Sequence, residues 1–196
     1  MKNQTGITLL ELLVAVAIFI VLVTLAVPAM DEYLARNRQV SQLNSLISAL
    51  NIARSEAVKR GAPVSVCAAN DDEDGCRGQN LWERGWLVFV DLNASGTVDA
   101  NDLILRSRAP LGGGTTLRAS GFTDLTYLTY FANGSLSTSS NSAAETGMFT
   151  ICMPEPRNLD ELARGVTVNR AGLIAVARDT DGDNIVNDLA GVEVGC

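Results

Sequence analysis

The chain has 196 residues and no histidine. That removes the commonest general base near neutral pH and the commonest zinc ligand. Positive charge is scarce as well. From Gly61 onward there are nine Lys and Arg against 18 Asp and Glu, so the distal part carries −9 while the whole chain carries −7. Such a surface repels phosphate backbones. Catalytic signatures are missing too: no Gly-x-Ser-x-Gly elbow, no phosphate loop, no dinucleotide fingerprint, no Ser/His/Asp set. Gly112-Gly113-Gly114 lacks a following Lys-Ser/Thr and reads as a flexible connection. Nothing singles out one acid/base pair from the scattered carboxylates, so no enzyme is expected. No Cys-x-x-Cys pair marks a metal site among the four cysteines.

What the chain does have is a long apolar run, Ile7 to Met30, whose one charge is Glu11. A bilayer core of ~30 Å needs about 20 apolar residues of helix, so this run is long enough to span. Residues 1–6 precede it, with Lys2 on that side, which fits an N-in orientation. A secretory signal would place its small-residue cleavage site after the run, where Ala26-Val27-Pro28-Ala29 is a poor version; Gly6, in front, is the sharper feature. A carboxylate inside a span costs at least ~2.5 kcal/mol unless it has a partner or a function. Glu11 could sit at the headgroups. It could instead pair with an amine, and cleavage after Gly6 would create one on Ile7 for a neighbouring copy of the helix to present.

Gly6-Ile7-Thr8-Leu9-Leu10-Glu11-Leu12-Leu13-Val14-Ala15 resembles the G-F-T-L-x-E-L-x-x-x signal of type IV pilins and type II secretion pseudopilins. That resemblance implies cleavage after Gly6 by a prepilin peptidase, N-methylation of Ile7, and a Glu11 that sets subunit register. The family more often has Phe where this chain has Ile7.

Beyond Pro28 the helix is expected to continue to Arg60. Leu34, Leu43, Leu46, Ile47, Leu50, Ala53, Ala57 and Val58 make one apolar stripe, with Arg36, Arg38, Gln39, Gln42, Asn44 and Asn51 falling largely elsewhere. Lys59 and Arg60 suit a helix C-terminus, Gly61 a left-handed cap, and Pro63 prevents continuation. Such a helix is ~80 Å long, and Pro28 is expected to bend or loosen it. Strands are expected at 63–68, 85–91, 103–106, 126–132, 148–153, 165–169 and 173–178, with a turn at Asn133-Gly134 and a polar loop from Ser135 to Ala144. Gly85 to Asp91 reads as a strand covered on both faces. Trp82 and Trp86, either side of Gly85, are expected in the core rather than on a ligand. The fold class is α+β: one long N-terminal helix, its first half transmembrane, packed against a C-terminal antiparallel β domain. The divisions expected are a leader 1–6, a transmembrane and polymerisation helix 7–30, its amphipathic continuation 31–60 and a β-rich head 61–196.

The resemblance extends into the head. Ala53-Arg54-Ser55-Glu56-Ala57-Val58, Arg84 to Asp91, Phe131-Ala132-Asn133-Gly134, Phe149-Thr150-Ile151-Cys152 and Cys196 look like the FimT/FimU/GspH branch of minor pilins and pseudopilins. It implies the pilin fold. Four cysteines allow three pairings, which sequence alone leaves open. The resemblance implies that the C-terminus is tied back to the Phe-x-x-Cys strand, hence Cys152–Cys196 with Cys67–Cys76 across the acidic run Asp71-Asp72-Glu73-Asp74. An exported head would sit in an oxidising compartment.

Two oxygen-rich loops are candidates for calcium. Asp91, Asn93, Ser95, Asp99 and Asp102 occupy positions 1, 3, 5, 9 and 12 of a twelve-residue loop with Gly96 at 6 and the Thr97 carbonyl at 7. Asp179, Asp181, Asp183 and Asn187 resemble a D-x-D-x-D repeat, with Asn184 where glycine is usual. The more ordinary reading of both is a solvated turn, since Asp, Asn and Gly dominate turns. No other cofactor is expected.

The expected role is therefore a minor pilin, processed by prepilin peptidase, held in the inner membrane with its head in the periplasm, and joined to other pilins in a type IV pilus. A type II secretion pseudopilin is the alternative. A DNA-uptake receptor is a third reading, since some FimT-like relatives bind DNA through a Gly-Arg-x-Arg stretch. Here Gly172-Leu173-Ile174-Ala175 stands in its place, and no nucleic acid partner is expected.

Overall fold

The structure, a computed structural model, describes residues 8–138, 146–154, 163–182, 185–187, 191, 193 and 196, without the side chains of 25–29. The chain forms two compact units, Met1–Arg38 and Gln39–Cys196.

The first unit contains the beginning of α1 (Leu9–Arg60). The helix starts where Thr8 turns its hydroxyl onto the Glu11 amide, at 3.2 Å, giving an otherwise unpaired first-turn donor an acceptor. From Leu9 to Thr24 every side chain is exposed, apolar or not. Glu32 and Arg36, one turn apart, pair at 2.6 Å further along. α1 runs unbroken through Pro28, where a bend or loosening was expected. Among the described residues no helix is long and apolar enough to cross a membrane. The described apolar run that starts at Leu9 ends at Val23, a stretch of about 22 Å at 1.5 Å per residue, short of a ~30 Å core. Ile7 and the side chains of 25–29, which would complete the expected span, lie outside the description.

The second unit begins with the last third of α1. Leu43, Leu46, Leu50, Ala53 and Ala57 recur at helical spacing and are buried. Val58, expected on that stripe, is 54% exposed instead, since it turns away from Ala57 by about 100°. Gln39 and Gln42, expected elsewhere, are buried. Each is admitted because its amide has a partner: Gln39 Nε2 donates to the Ile151 carbonyl at 2.9 Å, and Gln42 Nε2 to the Gly112 carbonyl at 2.7 Å. Gln42 Oε1 accepts from Thr115 Oγ1 at 2.9 Å. Gly112 to Gly114, expected as a flexible connection, is thereby anchored to the helix. At its end, Glu56 pairs with Arg60 at 2.5 Å and Lys59 at 3.5 Å. The Arg60 hydrogen bond chiefly holds the Glu56 carboxyl below its ordinary pKa. Gly61 then takes φ +65°, the left-handed cap.

Two antiparallel sheets pack on this helix. The strands are β1 (Val64–Ala68), β2 (Trp86–Val90), β3 (Leu103–Arg108), β4 (Thr116–Ser120), β5 (Tyr127–Tyr130), β6 (Leu136–Ser137), β7 (Gly147–Cys152), β8 (Arg164–Val168) and β9 (Ile174–Val176). The first sheet has the order β3-β2-β1-β5-β6, the second β4-β7-β8-β9. Register puts Val66 opposite Val88 and Leu128, and Phe149 opposite Ala119 and Val166. Inward side chains of both sheets join the helix stripe in one core. Trp82 lies in that core, its indole N–H donating to the Leu125 carbonyl at 2.8 Å and its ring meeting Phe149 edge-on with centroids 4.8 Å apart. Trp86 is buried beside it.

Strands β4 and β6 were not expected. Thr-Leu-Arg-Ala-Ser turns only Leu117 and Ala119 inward, and β6 has two residues inside a stretch read as polar loop. Arg54 ties two turns to the helix, donating to the Gly134 carbonyl at 3.3 Å and the Ala171 carbonyl at 2.9 Å. Burial pushes the nearby Tyr130 phenol up, well above its usual range, against the pull of the Arg54 charge.

Disulfides join Cys67 to Cys76, nine residues apart, and Cys152 to Cys196, 44 apart. In the loop-entropy account, closures of these lengths are worth about 3 and about 4 kcal/mol. A non-reducing digest analysed by mass spectrometry is expected to yield these two linked peptide pairs and no free thiol. Leu50, fully buried at the middle of the stripe, is the sharpest packing probe: Leu50→Ala should cost about 3 kcal/mol in a chemical-denaturation measurement, against less than 0.5 for Val58→Ala.

Candidate functional site

Three groups of residues carry the functional expectation, and the structure treats them differently. The first is the helix start. Gly6 and Ile7, the expected cleavage and methylation positions, lie outside the described residues. Glu11 lies within them. It stands at the third helical position behind the Thr8 cap, an arrangement of Thr-x-x-Glu that also serves helix initiation. This structural duty of Thr8 was missed by reasoning that looked only at the acid, although the four-residue spacing was in view. Glu11 carries the one formal charge on an apolar surface from Leu9 to Val23, and its carboxylate has no ion-pair or hydrogen-bond partner among the described residues. A helix apolar on every side is unsatisfied by its own chain and requires lipid or other helices around it.

The second group is the loop 91–102, and here the six candidate calcium ligands divide. Asp91 follows directly on β2, is fully buried and lies on the same face of the sheet as Ser65. Its Oδ2 accepts from Ser65 Oγ at 2.6 Å and from the Gly96 amide at 2.9 Å, while Oδ1 accepts from the Ser95 amide at 3.0 Å. Ser65 Oγ lies also 2.6 Å from Thr129 Oγ1, so three strands share one buried polar cluster. Asn93 donates to Asp99 at 2.9 Å, and Ser95 bonds the carbonyl of Thr97 at 3.1 Å. Asp102 accepts from the amides of Leu92 and Asp99. Within the loop these oxygens accept from backbone amides and neighbouring side chains. Gly96, at φ +73°, lies so close on the Tyr127 ring that a Cβ there would overlap it. The loop is thus a lid on the outer face of β1 and β2, over Cys67, Leu87 and Phe89, with Val98 and Tyr127 packed against them.

The third group, near the C-terminus, is a turn. Asp179 Oδ1 accepts from the amides of Asp181 and Gly182 at 3.2 and 2.7 Å. Asn187 Oδ1 accepts from the Thr180 amide and hydroxyl at 2.7 and 2.9 Å. Asp183 lies outside the described residues. Among the described residues no group of three acidic or sulfur side chains is placed to hold a metal ion. The acidic run 71–74 forms a tight turn: Asn70 Nδ2 donates to Asp74 at 2.8 Å, Asp71 pairs with Arg77, and the Cys67–Cys76 bridge closes its base.

An apolar helix start bearing one carboxylate, with the distal part of the helix clasped by two antiparallel sheets, is the fold of the pilin class. The chain belongs to the family described as type II transport protein GspH, whose model matches residues 42–172. A second model, the prokaryotic N-terminal methylation motif, matches residues 1–27. A "Fimbrial protein" of Pseudomonas aeruginosa is 39% identical over 72 residues, covering 37% of this chain and 46% of that protein. The chain thus spans about half the length of the curated relatives it matches. Among solved structures, the type IV minor pilin FimU of Pseudomonas aeruginosa strain PAO1 overlays with a TM-score of 0.54 at 26% identity, covering 73% of this chain and 90% of FimU.

The buried Asp91 is what this geometry makes testable. Asp91→Ala should destabilise the head by about 3 kcal/mol, because it strands two backbone amides and the Ser65 hydroxyl. Millimolar Ca²⁺ should leave the melting temperature of the unsubstituted chain where it was. A rise of several degrees would show that the loop reopens around the ion.

Proposed function

We propose that this chain is a minor pilin: a structural subunit that primes assembly of a type IV pilus or is built into it. The observation that carries the reading is the junction of two features in one α1. Its start is an apolar rod with a single unpartnered carboxylate, and its distal third is the spine of a GspH-type head. In this reading a prepilin peptidase cuts after Gly6, and Ile7 becomes the methylated N-terminus. The apolar helix anchors the subunit in the inner membrane, with the head in the periplasm, until the filament takes it up.

Glu11 is the assembly residue. Its carboxylate is stabilised in apolar surroundings by the Ile7 ammonium of the adjoining subunit, at a distance that only correct axial register provides. Register is thereby fixed by charge while the apolar surface supplies the attraction. Other pilins are the partners. Chemistry on a substrate has no part in this role, nor does a bound cation.

A second reading is the minor pseudopilin of a type II secretion system, favoured by membership of the type II transport protein GspH family. The FimU likeness favours the pilus.

N-terminal sequencing of the protein from its native membrane should start at Ile7, carrying N-methylation. Glu11→Ala should leave the head folded and reduce this subunit in sheared filaments about tenfold or more, the scale expected when an ion pair in an apolar setting loses one partner. Wild-type abundance of the variant in filaments would overturn the assembly role of Glu11.

A further inference from the structure

Within the second unit, β3 is an edge strand of the first sheet. Its inner side pairs with β2, Trp86 opposite Arg108 and Val88 opposite Arg106. Its outer row of amides and carbonyls, from Leu103 to Arg108, has no partner among the described residues. Edge strands are commonly shortened, bulged or covered to prevent pairing with another chain. This one has six residues, is bulged only near its middle, and is uncovered: Leu103 is 54% and Ile104 37% exposed.

Charge distinguishes this edge further. Arg106 and Arg108 have neither an ion pair nor a side-chain hydrogen bond among the described residues, in a head where acids outnumber bases two to one. Both stand on the helix-facing side of β3. With Ser45, Ser48 and Ile52 of α1 and the edge of Trp86, they line a groove of about 310 Å³. The groove runs along the unpaired backbone edge. It therefore offers main-chain hydrogen bonds, apolar contact at the Leu103 end and two cations at the Arg108 end.

We propose that β3 is a subunit-docking edge, on which an extended acidic segment of a neighbouring pilin-type subunit pairs as an added strand, its carboxylates on Arg106 and Arg108. Main-chain pairing supplies affinity, and the arginines choose the segment and its direction. The partner is a protein rather than a nucleic acid. Ala68 pairs with Trp86 and Trp86 with Arg108, so the acidic turn 70–75 leaves β1 at the end of the sheet where Arg108 lies. A phosphate backbone carries charge far beyond two arginines and is repelled by the rest of the head, which holds nine bases against 18 acids from Gly61 onward; a short strand carrying two carboxylates engages the arginines alone. This inference rests on the pilin reading and names the surface by which the head selects its neighbour.

The test is photo-crosslinking of the full-length chain in its own cells, with Ser107→p-benzoylphenylalanine reporting on the edge and Leu13→p-benzoylphenylalanine reporting on helix assembly. Ser107 should crosslink to a pilin-type subunit through an Asp- or Glu-rich segment identified by mass spectrometry. Adding R106E/R108E should reduce that adduct about tenfold or more and leave the Leu13 adduct unchanged, as expected for like charge facing like charge across a docking surface. R106Q/R108Q should reduce it in the same sense by less, and both pairs should leave the melting temperature unchanged. Adducts from Leu13 with none from Ser107, or a Ser107 adduct through a neutral or basic segment, overturn the docking edge and leave the pilin reading standing. No adduct at either position overturns both. Saturable retardation of duplex DNA by the full chain that is lost in R106E/R108E also overturns the docking edge, by making it a nucleic-acid surface.

Discussion

Two sheets of this head depend on one helix face. Neither the first sheet nor the second has a complete core without Leu43, Leu46, Leu50, Ala53 and Ala57, because each presents an inner apolar surface that only the helix closes. The sequence of sizes along that face matters. The larger leucines lie toward the start of the buried stretch, and the small Ala53 and Ala57 toward its end, in one core with the inward residues of both sheets. Folding of the head and correct formation of the helix are thus one event. A subunit whose helix is disturbed over these turns loses both sheets together.

The buried amides of Gln39 and Gln42 refine that arrangement. Apolar packing tolerates small slides along the helix axis, whereas an amide aimed at one carbonyl does not. Gln39 selects Ile151 of β7 and Gln42 selects Gly112 of the loop before β4, both serving the second sheet. The first sheet is pinned differently, through Arg54 at the turn that ends β5. Its outer face is sealed by the loop 91–102, in which Asp91 holds Ser65, Ser95 and Gly96 together. An acid-rich loop is here a structural closure, since a carboxylate that accepts three donors stabilises its burial more than a solvated turn would.

Much of this was readable in advance, for physical reasons that also explain the misses. The run Trp86 to Val90 is apolar throughout, and the structure does cover both its faces. The motif at Gly6 to Glu11 marked the family, and the family brought the fold. β4 was missed because Thr116, Arg118 and Ser120 dilute its pattern to two inward residues. Gln39 and Gln42 were misplaced because a hydropathy stripe has no way to register an amide whose partner is 70 or 112 residues away in the chain. The burial of Asp91 on Ser65 and the Ser95 and Gly96 amides was not read from the loop's spacing. The one visible clue was its place as the first residue after an all-buried strand: continuing the alternation of Leu87 and Phe89 sends its side chain to the face that the loop covers.

The Cys152–Cys196 bridge has a mechanical consequence. Gln39 couples α1 to β7 one residue before Cys152, so load applied along the helix reaches the sheet beside the bridge. Tension that pulls β7 from its sheet meets a covalent stop, because the 44-residue stretch to the C-terminus is closed into a ring. At about 3.4 Å per extended residue, some ~150 Å of slack is withheld from a head under strain. The subunit can yield locally without unravelling.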